Sequence, residues 1–224
     1  MLDYLFIGAH PDDESSVVGM MLKAKNEGKK TGVVILTKGE AGGFATKNTR
    51  VEELKKAAEM MDLDVCINLD FPDAGVEFNM TTVDAIIKVL VEHKPKVVLT
   101  LHSEDYHPDH RAVSQSVDRA VFVAGLKKHM GNETWHPQQV LYVSLDQRTN
   151  PHRPDLIIDI TEVYSLKEKV VSSYESQGIL PFVEKHASYY GGLGGFKYGE
   201  GLYIKQPLRI STVSSLLNKS KIGR

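Results

Sequence analysis

The sequence predicts an α/β fold: a Rossmann-like parallel-sheet α/β/α sandwich with additional C-terminal strands and loops. Two observations carry that expectation. Four short runs, "LDYLFIGA", "TGVVILT", "VCINLDF" and "PKVVLTLH", are rich in β-branched residues and almost continuously apolar, as strands covered on both faces are. Between them, apolar residues recur at helical spacing over 14–28, 50–62 and 82–93, so strand and helix alternate as in successive βα units.

The first helical segment offers Val17, Val18, Met21 and Leu22, the second Val51, Leu54, Ala57, Ala58 and Met61, and the third Val83, Ile86, Ile87, Leu90 and Val91. A further helix is expected from about His110 or Arg111 through "AVSQSVDRAVFVAG", followed by strands at "QQVLYVSL" and "DLIIDI" and a helix from Tyr164 to about Ser176. Beyond it the chain reads as loop, with five glycines between Gly191 and Gly199, before a terminal strand at "GLYIK". The 224 residues are read as a single domain, 1–224, with residues 214–224 a frayed basic tail.

Composition excludes several classes of function. Twenty-seven Lys and Arg against 29 Asp and Glu leave a formal charge of -2, so there is no global field for nucleic acid or anionic lipid. The opening "MLDYLFIGAH" lacks the basic region and apolar length of a signal peptide, and no apolar run approaches a membrane span. A soluble, cytoplasmic protein with no membrane partner is expected. Cys66, the single cysteine, reads as a small core residue within a strand.

Chemistry concentrates at two strand ends. "GAHPDDES" places His10, Asp12 and Asp13 just after the first strand, where adjacent carboxylates repel and desolvation opposes charge. Taken alone, the stretch also suits a helix N-terminus, with Asp12 or Asp13 as cap. "LTLHSEDYHPDHR" then puts Asp105, His107, Asp109 and His110 after the fourth strand, again at a carboxyl edge. Histidine interleaved with carboxylate suits Zn²⁺, with Fe²⁺, Mn²⁺ or Co²⁺ as alternatives, and one cysteine is too few for a closed structural zinc site. Three protein ligands would leave a position for water, which makes hydrolysis the leading chemistry, with two-metal phosphoester chemistry as the rival.

Paired "AHPDDE" (9–14) and "HPDH" (107–110) resemble the signature motifs of the LmbE-like (PIG-L-like) zinc N-deacetylases. "TKGEAGG" (37–43) is similar to that family's T-x-G-E-x-G loop, and the likeness continues through "TRVEELKKAAEMM", "LDFPDAG" and "YGEGL". The resemblance implies that His10, Asp13 and His110 are metal ligands and Asp12 the general base. It also implies that His107, oriented by Asp109, stabilises the oxyanion and protonates the departing amine. Arg50, Asp73 and Glu40 fall on substrate-binding positions. Each also has an ordinary reading, Arg50 in a helical pair with Glu53, Asp73 in a P-D-A-G turn and Glu40 capping a loop.

"VVSSYESQ" and "FKYGEGLYIKQPL" are similar to the bacillithiol-biosynthesis branch, whose substrate is N-acetylglucosaminyl malate. That resemblance implies a small-molecule N-acetyl amino sugar as partner and a homo-oligomer, a hexamer in that branch. The chain departs from the branch at "ESSVVGMM" and at Tyr106, where the branch carries an arginine, leaving Arg50, Arg148 or Lys38 to meet malate carboxylates. The competing functions are a deacetylase of another N-acetyl amino sugar, such as a chitooligosaccharide or antibiotic precursor, and a metal-stabilised sugar-binding protein without turnover.

Overall fold

The computed structural model describes residues 1–42, 47–146, 149–150 and 152–207. Five strands, β1 (Tyr4–Gly8), β2 (Thr31–Thr37), β3 (Val65–Phe71), β4 (Val97–Leu101) and β5 (Gln139–Val143), form a sheet in the order β3-β2-β1-β4-β5, every pairing parallel. The chain winds outward from β1 to β3, then returns to lay β4 on the free side of β1. The winding therefore reverses between β1 and β4, and connections leaving their carboxyl ends part to opposite faces. That divergence opens the crevice in which sheets of this kind hold ligands.

Helices α1 (Val18–Asn26), α2 (Lys47–Met60), α3 (Met80–His93) and α4 (Pro108–Ala124) alternate with the strands, as the apolar periodicity predicts. The short α5 (Lys127–Met130) precedes β5. α3 packs on α4, while α1 and α2 both meet α6 (Tyr164–Val171). Because β1 and β2 lie inside the sheet with helices over both faces, Leu5, Phe6, Ile7, Val33, Val34, Ile35 and Leu36 are all fully buried. Hydroxyls bind neighbouring strands as well: Thr37 Oγ1 donates to Ala9 O and Thr100 Oγ1 to Ile7 O, both at 2.9 Å, just where β1 ends. None of the described helices is long and apolar enough to cross a membrane.

Several local expectations are corrected. "VCINLDF" forms a strand, but it lies at an edge of the sheet, so its side chains are half-buried or exposed and Cys66 is exposed instead of lying in the core. The first helix is preceded by a single 3-10 turn over Asp13–Ser16, and α6 stops at Val171. The glycine-rich stretch expected as loop is largely helix, α7 (Leu180–Gly194). Its glycines serve close packing: a Cβ on Gly191 would lie 2.6 Å from Lys197 O, and one on Gly199 2.9 Å from Gly191 N. The expected tail, 214–224, and Arg148 lie outside the described residues.

β6 (Leu156–Asp159) and β7 (Gly199–Leu202) form a separate antiparallel pair. The chain just beyond β7 closes the edge of β5 through a reciprocal Tyr142–Tyr203 backbone bridge of 2.8 and 2.9 Å. From β7 the carboxylate of Glu200, 2 % exposed, accepts hydrogen bonds from Gly19 N and Met20 N, both 2.7 Å, and pairs with buried Lys167 of α6 at 2.5 Å. It satisfies orphan amides in the first turn of α1 and places negative charge at the positive helix end.

Replacing Glu200 by Ala strands the Lys167 ammonium and two amides away from water, so Glu200→Ala is expected to cost about 3–5 kcal/mol in urea unfolding. A loss below about 1 kcal/mol would show that the C-terminal pair does not anchor α1.

Candidate functional site

The two strand ends place their polar clusters against each other. After β1 the chain turns through His10–Asp12, with Asp12 at a φ of 110°, a region sparsely used by residues other than glycine. Three hydrogen bonds hold it there. Asp12 N donates to Glu14 Oε2 at 3.2 Å, and Arg50 Nη2 binds both Pro11 O at 2.7 Å and Asp12 Oδ2 at 3.1 Å. Glu14 is itself 1 % exposed and accepts a short hydrogen bond from the hydroxyl of buried Tyr174. Burial pushes the Glu14 carboxyl up to about 7, against the pull of that Tyr174 bond.

Asp13 Oδ2 is anchored by Ala9 N and His10 N at 2.8 and 2.9 Å, which leaves Oδ1 directed at His110 Nε2, 3.3 Å away. His10 Nδ1 lies 3.2 Å from that same His110 nitrogen and 3.9 Å from Asp13 Oδ2. The outer nitrogens are held as well. His10 Nε2 is 3.0 Å from Asp73 Oδ1 and 3.2 Å from Asp109 Oδ2, and His110 Nδ1 is 3.2 Å from Asp105 Oδ2. Carboxylates behind both imidazoles raise the basicity of the inward nitrogens, with hydrogen-bond geometry between His10 and Asp109 and an ion-pair contact alone between His110 and Asp105, an arrangement typical of histidine prepared for a cation.

Charge follows from this packing. Burial alone would depress the His10 imidazole, but bonds to Asp109 and Asp73 and the charge of Asp13 hold it up at about 9. His110 is likewise depressed by burial yet held up at about 10 by Asp13 and Asp105. Burial opposes ionisation of Asp13, but the two imidazoles outweigh it and keep the carboxyl well below the usual range. Asp12 goes the other way: burial and the Asp13 charge push it up to about 8, opposed by Arg50.

His107 sits at the N-cap of α4, and its Nδ1 accepts from Asp109 N at 3.2 Å. That bond leaves the proton of a neutral ring on Nε2. Burial and the neighbouring His110 and His10 lower its pKa. Its ring stacks on that of His110 at 4.6 Å and meets that of His10 edge-on at 4.7 Å. The expectation that the Asp109 carboxylate orients His107 is corrected: this carboxylate receives Ala74 N at 2.9 Å and faces His10, and only the backbone of Asp109 serves His107. The cause is local, since capping the helix occupies the His107 nitrogen that a carboxylate would have held.

Nitrogens of His10, His107 and His110 all lie within 4.8 Å of one another, as do His10, Asp73 and Asp109 ligand atoms. Asp73 joins the cluster through His10, and its backbone N is held by Glu40 Oε1 at 3.1 Å. Arg50 is 4 % exposed, and its guanidinium is committed to Gly39 O, Pro11 O and Asp12. Lys38 pairs with Asp70. Asp105 emerges as the partner of His110, and Tyr174 as the partner of Glu14, 160 residues away, for which no local sequence pattern gives a sign.

Comparison with known proteins agrees with this arrangement. The diacetylchitobiose deacetylase of Thermococcus kodakarensis is 27% identical over 88% of this chain and 81% of its own. The conserved protein TT1542 of Thermus thermophilus has a structure with a TM-score of 0.86 at 30% identity, covering 94% of this chain and 97% of that one. GalB, the 4-carboxy-2-hydroxymuconate hydratase of Pseudomonas putida KT2440, has a TM-score of 0.82 at 22% identity, covering 95% and 99%, a likeness of fold alone. The model of PIG-L, described as GlcNAc-PI de-N-acetylase, matches residues 5–121, from β1 through both polar clusters into α4. On that match, the chain belongs to the PIG-L deacetylase family.

Proposed function

We propose that the protein is a metal-dependent N-deacetylase that hydrolyses the acetamido group of an N-acetylglucosamine-containing small molecule, releasing acetate and a free amine. The observation that carries the proposal is the convergence of His10 Nδ1, His110 Nε2 and Asp13 Oδ1, with carboxylates behind both rings. Two imidazoles and a carboxylate suit Zn²⁺ or another first-row dication better than Mg²⁺ or Ca²⁺. The donor set also fits because two protonated imidazoles facing each other at 3.2 Å repel, whereas a cation turns both inward nitrogens into ligands. A dication bound there supplies Lewis acidity toward the acetyl carbonyl and activates water at neutral pH.

The remaining work falls to the chain. Asp12, locked by Arg50 and by its own amide, takes the proton of the attacking water. Arg50 aims that carboxyl and opposes the burial that pushes it up, and a bound dication would favour its ionised form further, a role different from reading substrate carboxylates. His107 holds its proton on Nε2, where it donates a hydrogen bond to the developing oxyanion, and the proton that Asp12 has taken from the water passes to the departing nitrogen, so that no free amide anion has to leave. The match to the PIG-L deacetylase model and the likeness to a diacetylchitobiose deacetylase favour amide hydrolysis over two-metal phosphoester chemistry. The 27% identity to a diacetylchitobiose deacetylase supports a glucosaminide substrate. N-acetylglucosaminyl malate is the charged alternative.

Three outcomes are expected. Asp12→Asn retains stoichiometric metal by elemental analysis but loses about 10²–10⁴ in acetate release, His107→Ala keeps metal and loses rate, and His10→Ala or His110→Ala loses the metal. Normal turnover in Asp12→Asn would remove its role as base, and a metal-retaining protein inactive on every N-acetyl sugar would leave a binding protein. Arg50→Ala is expected to lower kcat similarly on diacetylchitobiose and on N-acetylglucosaminyl malate, because it acts through Asp12; a loss confined to KM for malate would restore it as a carboxylate reader.

Metal binding should also move protons. With His10 and His110 held up at about 9 and 10, both rings are charged at pH 7 in the metal-free protein. Metal uptake should therefore release about two protons, and affinity should weaken about 100-fold for each unit the pH falls below 7. Calorimetry of Zn²⁺ binding in buffers of different ionisation enthalpy measures this, and zero protons released would mean that the rings are already neutral.

A further inference from the structure

The Tyr174 hydroxyl ends a chain of contacts that begins at Asp12. Tyr174 is 1% exposed and donates to Glu14 Oε1, and the other oxygen of that buried carboxylate, Oε2, accepts from Asp12 N at 3.2 Å. A residue other than glycine at a φ of 110° keeps that conformation only where its surroundings over-determine it. By aiming one oxygen of Glu14, the hydroxyl presents the other to the Asp12 amide.

The segment that carries Tyr174 is tied to the helix that carries Arg50. Just after α6, Tyr174 O accepts from Gln177 N and Gly178 N at 3.1 and 3.2 Å, which closes a turn. Two residues beyond Tyr174, Ser176 donates from both N and Oγ to the carboxylate of Glu53, at 2.8 and 2.6 Å. Glu53 stands one turn after Arg50 on α2, and α2 packs on α6. Arg50 in turn binds Pro11 O at 2.7 Å and Asp12 Oδ2 at 3.1 Å. Two tied elements therefore grip Asp12, one by its backbone and one by its carboxylate.

We infer that Tyr174 is a positioning residue for the general base: through Glu14 it fixes the backbone of Asp12, while Arg50, on the helix tied to the same segment, fixes its carboxylate. The inference rests on the deacetylase reading and on Asp12 as the base within it. Tyr174 and Glu14, each 1% exposed, are too buried to meet substrate, so their effect falls on the chemical step and not on binding. Asp13 is anchored separately, by Ala9 N and His10 N, so metal binding does not depend on the aim of Asp12. A reacting group displaced by about 1 Å can lose about 10²-fold in rate, and one lost link in this clamp displaces it by less.

The test measures acetate release from diacetylchitobiose, N-acetylglucosamine and N-acetylglucosaminyl malate by the metal-loaded protein, with metal content by elemental analysis. Tyr174→Phe is expected to lower kcat about tenfold, leave KM within about twofold and keep stoichiometric metal. Added to Asp12→Asn, the same substitution is expected to change the residual rate by less than about twofold, because its effect passes through a carboxylate already removed. An unchanged kcat in Tyr174→Phe, or a tenfold loss that persists in the Asp12→Asn background, would overturn the inference. Should Tyr174→Phe fail to fold around its buried carboxylate, Glu14→Gln with and without Tyr174→Phe takes its place, since no buried charge is then stranded; removing the hydroxyl there is expected to lower kcat about fivefold, and no fall would equally overturn the inference. A crystal structure of Tyr174→Phe, or of the Glu14→Gln pair, gives a reading independent of turnover. Asp12 is expected to leave its positive φ, and an unmoved Asp12 refutes the role. If wild type releases no acetate from any of the three sugars, the deacetylase reading fails, and the φ of Asp12 alone decides whether Tyr174 positions it.

Discussion

Four buried carboxylates, Asp13, Glu14, Asp105 and Asp109, crowd the ends of two adjacent strands, and the surrounding structure is arranged to make their burial tolerable. Each receives donors from a different source. Asp13 takes the amides of the turn after β1, Asp105 the amide of His107, Asp109 that of Ala74, and Glu14 the hydroxyl of Tyr174. The imidazoles of His10 and His110 then bridge three of the four. Removing water from so many charges is costly unless each is paired. The same pairing that makes the fold tolerate them leaves an inward-facing set of nitrogen and oxygen lone pairs for a cation.

Sheet order explains why these groups meet. Reversal of the winding between β1 and β4 brings two clusters about a hundred residues apart in sequence to within hydrogen-bond distance, His10 and His110 being separated by 100 positions. GalB shares this frame at 22% identity and is described as a hydratase, so the frame by itself does not select a reaction. What argues for amide hydrolysis here is the detail at the strand ends: an acid held by arginine beside the paired imidazoles, and a histidine whose Nδ1 is engaged at a helix cap.

The strands and helices of the sheet were legible because burial on both faces leaves an unbroken apolar signature, and both polar clusters were legible because their residues are contiguous. Legibility failed where the cause was distant. The glycines of α7 look like breakers until the close approach of 197–199 to that helix is known, and "VCINLDF" looks internal because sequence does not reveal which strand will be outermost. In the site, His10, Asp13 and His110 converge as their motifs suggest, whereas the partners behind them do not follow from spacing. Asp109 turns its carboxylate to His10 because capping α4 engages His107, and Arg50 turns inward because Asp12 and two carbonyls lie within its reach.

The long-range ties also bear on when the molecule becomes competent. Glu14 depends on a hydroxyl 160 residues later, and the first turn of α1 depends on a carboxylate 181 residues after Gly19. A growing polypeptide emerging from the ribosome therefore exposes its polar strand ends long before the residues that steady them exist. The β1–β4 half can pair its strands early, but the aspartate at position 12 gains its full set of supports only after residue 174 has emerged, and α1 its anchor only after residue 200. Synthesis itself delays the completion of this polar cluster until residue 200 has emerged.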